Sequence, residues 1–266
     1  MMNLIYVLLG AAVVYFAFKK SVIIGLIALA ALLGIMVYIL YPKLKIARAN
    51  AKFNDGDLEG TIRDYKRIIE SGKGNIDLRI TYASLLMRAD EAEKGLDEIN
   101  KILKYKIEPK KKYLAKQTRS MINYRLGNMQ EAKEELDELF EDGYKTSNTY
   151  CMMGLYMLIM NYPIEETLKM CEEAYEYDDD NRDILDNLEV CYIKTKQYDK
   201  AKEISDKLVE LAPQFVEGFY HGALLHEAMG DMKTAKEYAA RLKDCKRSVM
   251  TTIPVEEEEK LIARLS

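Results

Sequence analysis

The stretch from Arg182 to Phe215 reads RDILDNLEVCYIKTKQYDKAKEISDKLVELAPQF, and it decides the fold. Within it, Leu185, Leu188 and Tyr192 recur at spacings of three and four residues, which places them on one face of a helix. Ala201 then leaves room for a close helix crossing that a larger side chain would block. The stretch therefore predicts two antiparallel helices packed closely together.

The same pattern returns along the second half of the chain every 34 residues, in units that begin at Asn148, Arg182 and Val216. Each unit has a small residue near the start of its second helix, and these residues are Thr167, Ala201 and Ala235. A fixed period of this size is typical of stacked helical hairpins. One hairpin cannot bury its apolar face alone, so each unit needs neighbours.

The unit, which Pro213 closes, resembles the tetratricopeptide repeat, and the resemblance covers residues from about 42 to 244. The family pattern is altered in two ways: the chain has no Trp, and Thr61, Gly95 and Thr167 replace the usual Ala. The unit starts are 42, 76, 113, 148, 182 and 216. The resemblance implies an all-α fold, an α-solenoid of about six helix pairs.

The chain is predicted to have three regions. They are 1–41, two transmembrane helices; 42–246, the solenoid; and 247–266, a linker and a C-terminal capping helix. In the last region, Leu261, Ile262 and Leu265 form a short apolar stripe that would cover the end of the array. A docking tail for another protein is the alternative reading of this stripe.

Two apolar segments precede the repeats. Met2 to Phe18 is followed by Lys19 and Lys20, and then by Val22 to Tyr41. A bilayer core needs about 20 helical residues, with about 17 as the lower limit. The first segment also has the length of a signal-peptide core, but it lacks a basic start and a cleavage pattern. We therefore predict a transmembrane helical hairpin that anchors the chain in lipid through residues 2–41.

The basic flanks predict the orientation of the hairpin. Lys43, Lys45, Arg48 and Lys52 follow the second segment and outnumber the two lysines between the segments. This excess places the repeats in the cytoplasm; an extracytoplasmic position, as in envelope assembly, is the alternative. Neither apolar run contains a charged residue, which favours an anchor over a transporter or channel.

Charge and cysteine usage exclude several function classes. All 43 acidic residues lie beyond position 41, and the net charge of the chain is −4, which argues against a nucleic-acid-binding protein. The four cysteines form no C-x-x-C pair, so we expect buried thiols in a reducing compartment. They are Cys151, Cys171, Cys191 and Cys245.

No catalytic motif, phosphate loop or dinucleotide fingerprint occurs in the sequence. The two histidines, His221 and His226, are five residues apart and do not have a metal-binding spacing. Asp178, Asp179 and Asp180 lack the spacing of a calcium loop and indicate a solvated turn. We therefore predict a protein that is not an enzyme and that has no metal and no cofactor.

In this family the first helix of each unit lines a concave surface that commonly receives a peptide. The resemblance therefore implies a protein-binding groove lined by Met121, Tyr124, Met152, Tyr156, Met160, Val190, Lys194, Tyr220 and Leu224. Met and Tyr suit an adaptable groove. Such residues at helical spacing also pack in cores, so the prediction applies to the whole face more than to any one residue.

These features together predict a membrane-anchored scaffold that binds a protein or peptide, such as an assembly or quality-control factor at the membrane. One alternative is an extracytoplasmic repeat protein of envelope assembly. Another is an oligomeric structural element without a peptide groove, which would self-associate through the spans or the exposed repeat faces.

Overall fold

The computed structural model describes residues 2–247 and 251–266, and in these residues it has fourteen α-helices and no strand. The helices are α1 Met2–Lys20, α2 Val22–Asn54, α3 Leu58–Glu70, α4 Ile76–Arg88, α5 Ala92–Leu103, α6 Pro109–Arg125, α7 Met129–Glu141, α8 Ser147–Ile159, α9 Ile164–Tyr177, α10 Arg182–Lys194, α11 Tyr198–Leu211, α12 Val216–Met229, α13 Met232–Arg241 and α14 Val255–Leu265. The all-helical prediction is confirmed.

The chain forms two compact units, Met1–Glu91 and Ala92–Ser266. The first unit holds α1 to α4, and the second holds α5 to α14. The domain boundaries predicted from the sequence stay a prediction, and part of the predicted linker, residues 248–250, lies outside the described residues.

In the first unit, α1 and α2 form an antiparallel hairpin with only Ser21 between them. A Cβ atom on Gly10 would lie 2.7 Å from Leu32 Cδ1, and one on Gly25 would lie 2.3 Å from the Phe18 ring. These two glycines therefore let the helices approach more closely than any larger residue would.

Helix α2 is continuous from Val22 to Asn54. The sequence predicts a new helix at position 42 that is nearly continuous with the apolar segment, and the structure has a single helix that runs through this position. A proline removes one backbone donor but still permits a helix to continue when its neighbours keep their hydrogen bonds. The chain therefore leaves the apolar segment without a break.

The C-terminal part of α2 serves as the first helix of a repeat. Ala49 is fully buried beside Tyr65 and Ile68 of α3. The Thr61 hydroxyl donates to the Ala49 carbonyl oxygen at 3.2 Å, so this small residue both fits the crossing and bonds across it. Leu78 of α4 completes the same buried cluster.

In the second unit, α6 to α13 form four consecutive helix pairs. The predicted small residues of the second helices are completely buried: Ala132, Thr167, Ala201 and Ala235. In the first of these pairs, the Ser120 hydroxyl donates to the Ala132 carbonyl oxygen at 2.6 Å, which requires a close helix crossing. The prediction of a tetratricopeptide-like solenoid is therefore confirmed.

The third predicted repeat begins earlier than its sequence pattern indicates. Its sequence unit starts at position 113, but its first helix, α6, starts at Pro109. Proline suits the first turn of a helix, because its φ angle is already helical and its missing N–H would have no partner there. The link between the second and third repeats is correspondingly shorter.

The capping helix α14 covers the last helix pair. Leu261 and Leu265 are buried in one cluster with Val216, Phe219 and Leu242. Two residues of the predicted apolar stripe therefore pack against the last helix pair, as expected for a helix that caps an array.

Candidate protein-binding site

The residues predicted to line a groove lie on α6, α8, α10 and α12 or directly after α8, which are the first helices of successive pairs. Those that keep part of their surface exposed are here named the first-helix face: Met121, Tyr124, Met160, Val190, Lys194, Tyr220 and Leu224. The other two, Met152 and Tyr156, are buried, with 8% and 1% of their surface exposed. The structure therefore divides the predicted set into a surface layer and a supporting layer.

Tyr156 lies beneath the first-helix face. Its hydroxyl donates to the Ser120 carbonyl oxygen at 3.2 Å, and its ring stacks on Tyr124 with the ring centroids 5.3 Å apart. Burial raises the pKa of Tyr156. A buried side chain cannot touch a ligand at the surface, so the predicted placement of Tyr156 in the groove lining is corrected: this residue supports Tyr124 from below.

Met152 also belongs to the interior. It packs in a buried cluster with Ala132, Leu136 and Leu139 of α7. A flexible thioether fills such an irregular gap well. Its predicted placement in the groove lining is likewise corrected, because the side chain is used to pack α8 onto the preceding pair.

Met121 and Tyr124 are half-buried at the edge of this cluster. Burial raises the pKa of Tyr124, Arg125 lowers it, and the Glu217 carboxyl raises it. Glu217 lies on α12, three helix pairs further along the chain.

The middle of the first-helix face is adaptable. Met160 follows the last turn of α8, Val190 is half-buried on α10, and Lys194 is exposed in the last turn of α10. This part of the face offers one flexible thioether, one small apolar side chain and one cation. Such a combination can contact both the backbone and the side chains of a peptide.

Tyr220 and Leu224 lie beside the capping helix. Both pack against the cluster that contains Leu261 and Leu265 of α14. The Arg264 guanidinium on α14 also donates to Glu227 Oε2 of α12 at 2.6 Å. These two predicted contact residues are therefore partly covered by packing at the C-terminal end of the array.

A cluster of acidic residues that the sequence analysis did not single out joins α10 to α12. His221 Nδ1 lies 2.7 Å from Asp186 Oδ1, and Glu217 Oε1 accepts from the Thr252 N–H at 2.7 Å. Glu189 is completely buried, and within the described part of the chain neither of its carboxyl oxygens has a hydrogen-bond partner. We name Asp186, Glu189, Glu217 and His221 the acid–histidine cluster.

Burial dominates the titration of this cluster. It raises the pKa of Glu189 to about 8, and it also raises the pKa of Asp183 and of Glu217. Burial by itself lowers the pKa of His221, but the carboxyls of the cluster outweigh that effect and leave this pKa raised. The described residues contain no group of three His, Cys, Asp or Glu side chains placed to hold a metal ion.

The repeat period contains the signal that could have found this cluster. Asp186 and His221 are 35 residues apart, and Asn187 donates to the Cys151 carbonyl oxygen at 2.9 Å across 36 residues. First-helix residues one repeat apart therefore face each other. A search for polar pairs at this separation would have predicted both contacts.

The cysteines are free thiols on the helical array. Cys171 and Cys191 are buried with their Sγ atoms 3.7 Å apart, and Cys151 and Cys245 are half-buried. The predicted burial is therefore confirmed for the central pair, which packs as two small apolar residues.

The first unit has a separate cleft of about 390 Å³. Its lining contains one cation and no acidic residue: Asn50, Phe53, Asn54, Thr61, Tyr65, Thr81, Ser84, Leu85 and Arg88. The Arg88 guanidinium lies 6.0 Å from the centre of the Phe53 ring. The cleft thus offers hydrogen-bonding side chains beside an aromatic ring.

Comparison with known proteins agrees with this geometry. The family model described as "Psidin, N-terminal TPR repeats region" matches residues 81–241, which is more than half of the chain. No curated protein sequence matches the chain.

Solved structures share the fold at low sequence identity. A tetratricopeptide repeat protein from Parabacteroides merdae is 16% identical with a TM-score of 0.64, over 96% of this chain and 97% of that chain. PilW, a type IV pilus biogenesis factor, is 14% identical with a TM-score of 0.64, over 84% and 98% of the two chains. The Cut9–Hcn1 hetero-tetramer of the APC/C is 13% identical with a TM-score of 0.68, over 83% of this chain and 42% of that one.

The stacked pairs of antiparallel helices define a helical-repeat solenoid. The chain belongs to the tetratricopeptide repeat family, in the group of the Psidin N-terminal repeat region. It is a protein-interaction scaffold of the tetratricopeptide type, and proteins of this fold are generally not enzymes.

Proposed function

We propose that this protein is a membrane-anchored scaffold that binds a protein or peptide across its first-helix face. The observation that carries the proposal is that Tyr124 on α6 and Val190 and Lys194 on α10 keep part of their surface accessible, while Tyr156 of α8 stacks beneath Tyr124. A row of accessible apolar and polar side chains on a rigid support suits an extended ligand.

The composition of the face supports a peptide partner more than a small molecule. Tyr124 presents a large surface with few rotatable bonds, and Met121 and Met160 can adjust to different side chains. Lys194 adds a cation that can pair with a carboxylate. Such surfaces accept varied partners because their side chains can repack.

The apolar N-terminal helices support the membrane part of the proposal. Among the described residues, one helix, Val22–Asn54, is long and apolar enough to cross a bilayer, and its apolar stretch is only 6% buried. Exposed apolar side chains also line α1, including Leu9, Val13 and Phe16. Such a surface is costly in water and favourable in lipid. We propose that both helices are inserted, with the repeats in the cytoplasm.

The binding face can be tested with a photo-crosslinking side chain in the full chain in its native membrane. A crosslinker at Val190 should trap a partner that a crosslinker at Tyr105 does not, since Tyr105 is exposed but lies off the face. A second substitution, Tyr124→Ala, should remove the Val190 adduct. Equal adducts at both positions, or an adduct that survives Tyr124→Ala, would overturn the proposed face.

Membrane insertion needs an independent test. Alkaline carbonate should leave the full chain in the membrane pellet and should release a chain that is only peripherally bound. A cysteine placed at the exposed Glu176 should react with a membrane-impermeant maleimide only after lysis. Reaction in intact cells would place the repeats outside the cytoplasm, and full release by carbonate would remove the anchor.

A further inference from the structure

A second cleft lies on the opposite helices of the array from the first-helix face, between α7 and α9. It has a volume of about 490 Å³, which falls within the range of about 300–1,000 Å³ typical of ligand pockets. We name it the outer groove, and its lining is Lys133, Asp137, Phe140, Glu141, Met153, Met157, Tyr162, Glu166, Lys169, Met170 and Glu173.

Two second helices form the walls of the outer groove. The α7 residues Lys133, Asp137 and Glu141 recur every four residues, which keeps them on one side of that helix. The α9 residues Glu166 and Met170 have the same spacing on the facing helix. The walls of the groove therefore belong to consecutive repeats.

The floor of the outer groove is apolar and is formed largely by flexible side chains. Met153 and Met157 of α8 are buried at its base, and Phe140, Tyr162 and Met170 are half-buried around them. Thioethers adapt to the shape of an incoming apolar side chain and contact aromatic rings favourably. The floor thus fits one or two apolar side chains of a partner.

Several charges of the rim are already neutralised within the protein. Lys133 Nζ donates to Asp137 Oδ1 at 2.6 Å, and it lies 5.2 Å from the centre of the Tyr162 ring. Glu173 Oε1 accepts from Lys145 Nζ at 2.8 Å and from the Tyr150 hydroxyl at 2.7 Å. These pairs fix the rim but offer little to a ligand.

The carboxylates that remain available lie on the two walls of the groove, one on each helix. Glu141 on α7 and Glu166 on α9 are exposed, and neither side-chain carboxylate has a hydrogen bond or ion pair within residues 2–247 and 251–266. The last turn of α7 has no basic residue, so Glu141 adds to the negative end of that helix dipole. The whole lining has four carboxylates against two lysines, Lys133 and Lys169.

We propose that the outer groove is a second protein-docking site, which binds a peptide segment with apolar side chains flanked by Lys or Arg. The apolar side chains enter the floor over Met153 and Met157, and the cations pair with Glu141 and Glu166. This charge complementarity selects a basic amphipathic segment over an acidic one. The site is separate from the first-helix face, so the scaffold can hold two partners at once.

The test uses the full chain in detergent micelles and two synthetic helical peptides with a fluorescent label. Both peptides carry Leu at positions i, i+3, i+4 and i+7; one has Lys on the flanks and the other has Glu. Fluorescence anisotropy should show binding of the Lys peptide. The double variant E141K/E166K should weaken that binding roughly five- to tenfold, because two exposed attractions become repulsions, and it should strengthen binding of the Glu peptide.

A matched control separates the groove from general acidity. Glu203 and Glu210 are exposed on α11, so E203K/E210K makes the same change of net charge away from the groove and should leave binding intact. Met170→Gln, which replaces an apolar side chain of the lining by a polar one of similar size, should weaken the binding of both peptides. Tyr124→Ala should change the binding of neither peptide.

Two results would overturn the outer groove as a docking site. One is unchanged affinity of the Lys peptide for E141K/E166K, and the other is an equal loss in E203K/E210K. Tyr124 does not belong to the groove, so the two proposals are tested separately. Failure of the peptide experiment does not contradict binding at the first-helix face, and failure of the crosslinking experiment does not contradict binding in the outer groove.

Discussion

His221 Nδ1 lies 2.7 Å from Asp186 Oδ1, and this contact joins the first helices of two neighbouring repeats. The two residues are 35 positions apart, so they meet only when α10 and α12 are stacked. The pair is also largely shielded, with 17% and 11% of the two side chains exposed. It therefore reports on the stacking of repeats as well as on local geometry.

The first prediction concerns the pH dependence of this pair. The folded state raises the pKa of His221 above its ordinary value of 6.5. The stabilisation by charged His221 is therefore complete below about pH 6.5, and it is lost as the pH rises through the higher folded pKa. The free energy of unfolding of the wild-type chain should fall between pH 6 and pH 8. The free energy of unfolding of the His221→Gln variant should fall less over the same range.

Chemical denaturation of the full chain in detergent at several pH values measures this effect. Asp186→Asn provides the matched variant, because it removes the charge that holds the proton on His221. The double variant, with His221→Gln and Asp186→Asn together, should lose less unfolding free energy than the sum of the losses in the two single variants, as expected for residues in contact. Strictly additive losses would mean that the pair is not coupled.

Glu189 gives a second pH prediction with the same sign. Its pKa rises from an ordinary value near 4.5 to about 8, and the groups that face it are His221, Asp186, Asp206 and the Ser205 hydroxyl. The stability that the chain has with Glu189 protonated is complete below pH 4.5, and it is lost as the pH rises towards 8 and the buried side chain ionises. Glu189→Gln keeps a neutral side chain at every pH, so this variant should be more stable than wild type at pH 8 and should show a flatter pH profile.

The exposed Glu210 on the neighbouring helix is the control for this substitution. Glu210→Gln should change neither the stability nor its pH profile. If Glu189→Gln is less stable than wild type at pH 8, the buried carboxylate must have a stabilising partner, and the prediction is wrong.

The sequence was sufficient to predict the helical array because its period repeats a steric requirement. Thr167, Ala201 and Ala235 occur 34 residues apart, and each is completely buried at a helix crossing. The requirement is local, since it depends on one small side chain at one position of each unit. Helix type, pairing and the cap follow from such local rules.

The candidate site could be predicted only in outline. Spacing places Tyr124 and Tyr156 on first helices, but it does not show which ring stacks on top: Tyr156 is 1% exposed, and Tyr124 is half-buried above it. That order depends on how neighbouring repeats pack against each other, which no single repeat encodes. The outer groove was missed for the same reason, because Glu141 and Glu166 belong to different repeats.

The third prediction tests Tyr156 as a support. Tyr156→Phe keeps the ring and removes the hydrogen bond to Ser120, which should cost about 1 kcal/mol of unfolding free energy. Tyr156→Ala leaves a cavity under Tyr124 and should cost about 3–5 kcal/mol. Crosslinking from Val190 should survive Tyr156→Phe. Loss of the adduct in this variant, with stability unchanged, would restore Tyr156 as a contact residue.

The last prediction concerns the seal at the C-terminal end. Leu261 and Leu265 of α14 are 3% and 1% exposed, and they pack in one cluster with Phe219 of α12 and with Leu242, which follows α13. Leu265→Ala should cost about 2–5 kcal/mol at this contact, because it removes a buried side chain and leaves a cavity. The loss should appear locally, as faster hydrogen exchange in α14 and α13, while α6 and α7 keep their protection. Ala263 is exposed on the same helix, so Ala263→Ser provides the control and should leave exchange unchanged.

An uncapped repeat also exposes an apolar face, so the Leu265→Ala chain should self-associate in size-exclusion chromatography as its concentration rises. Uniformly faster exchange along the second unit would instead show that the array unfolds as one cooperative block.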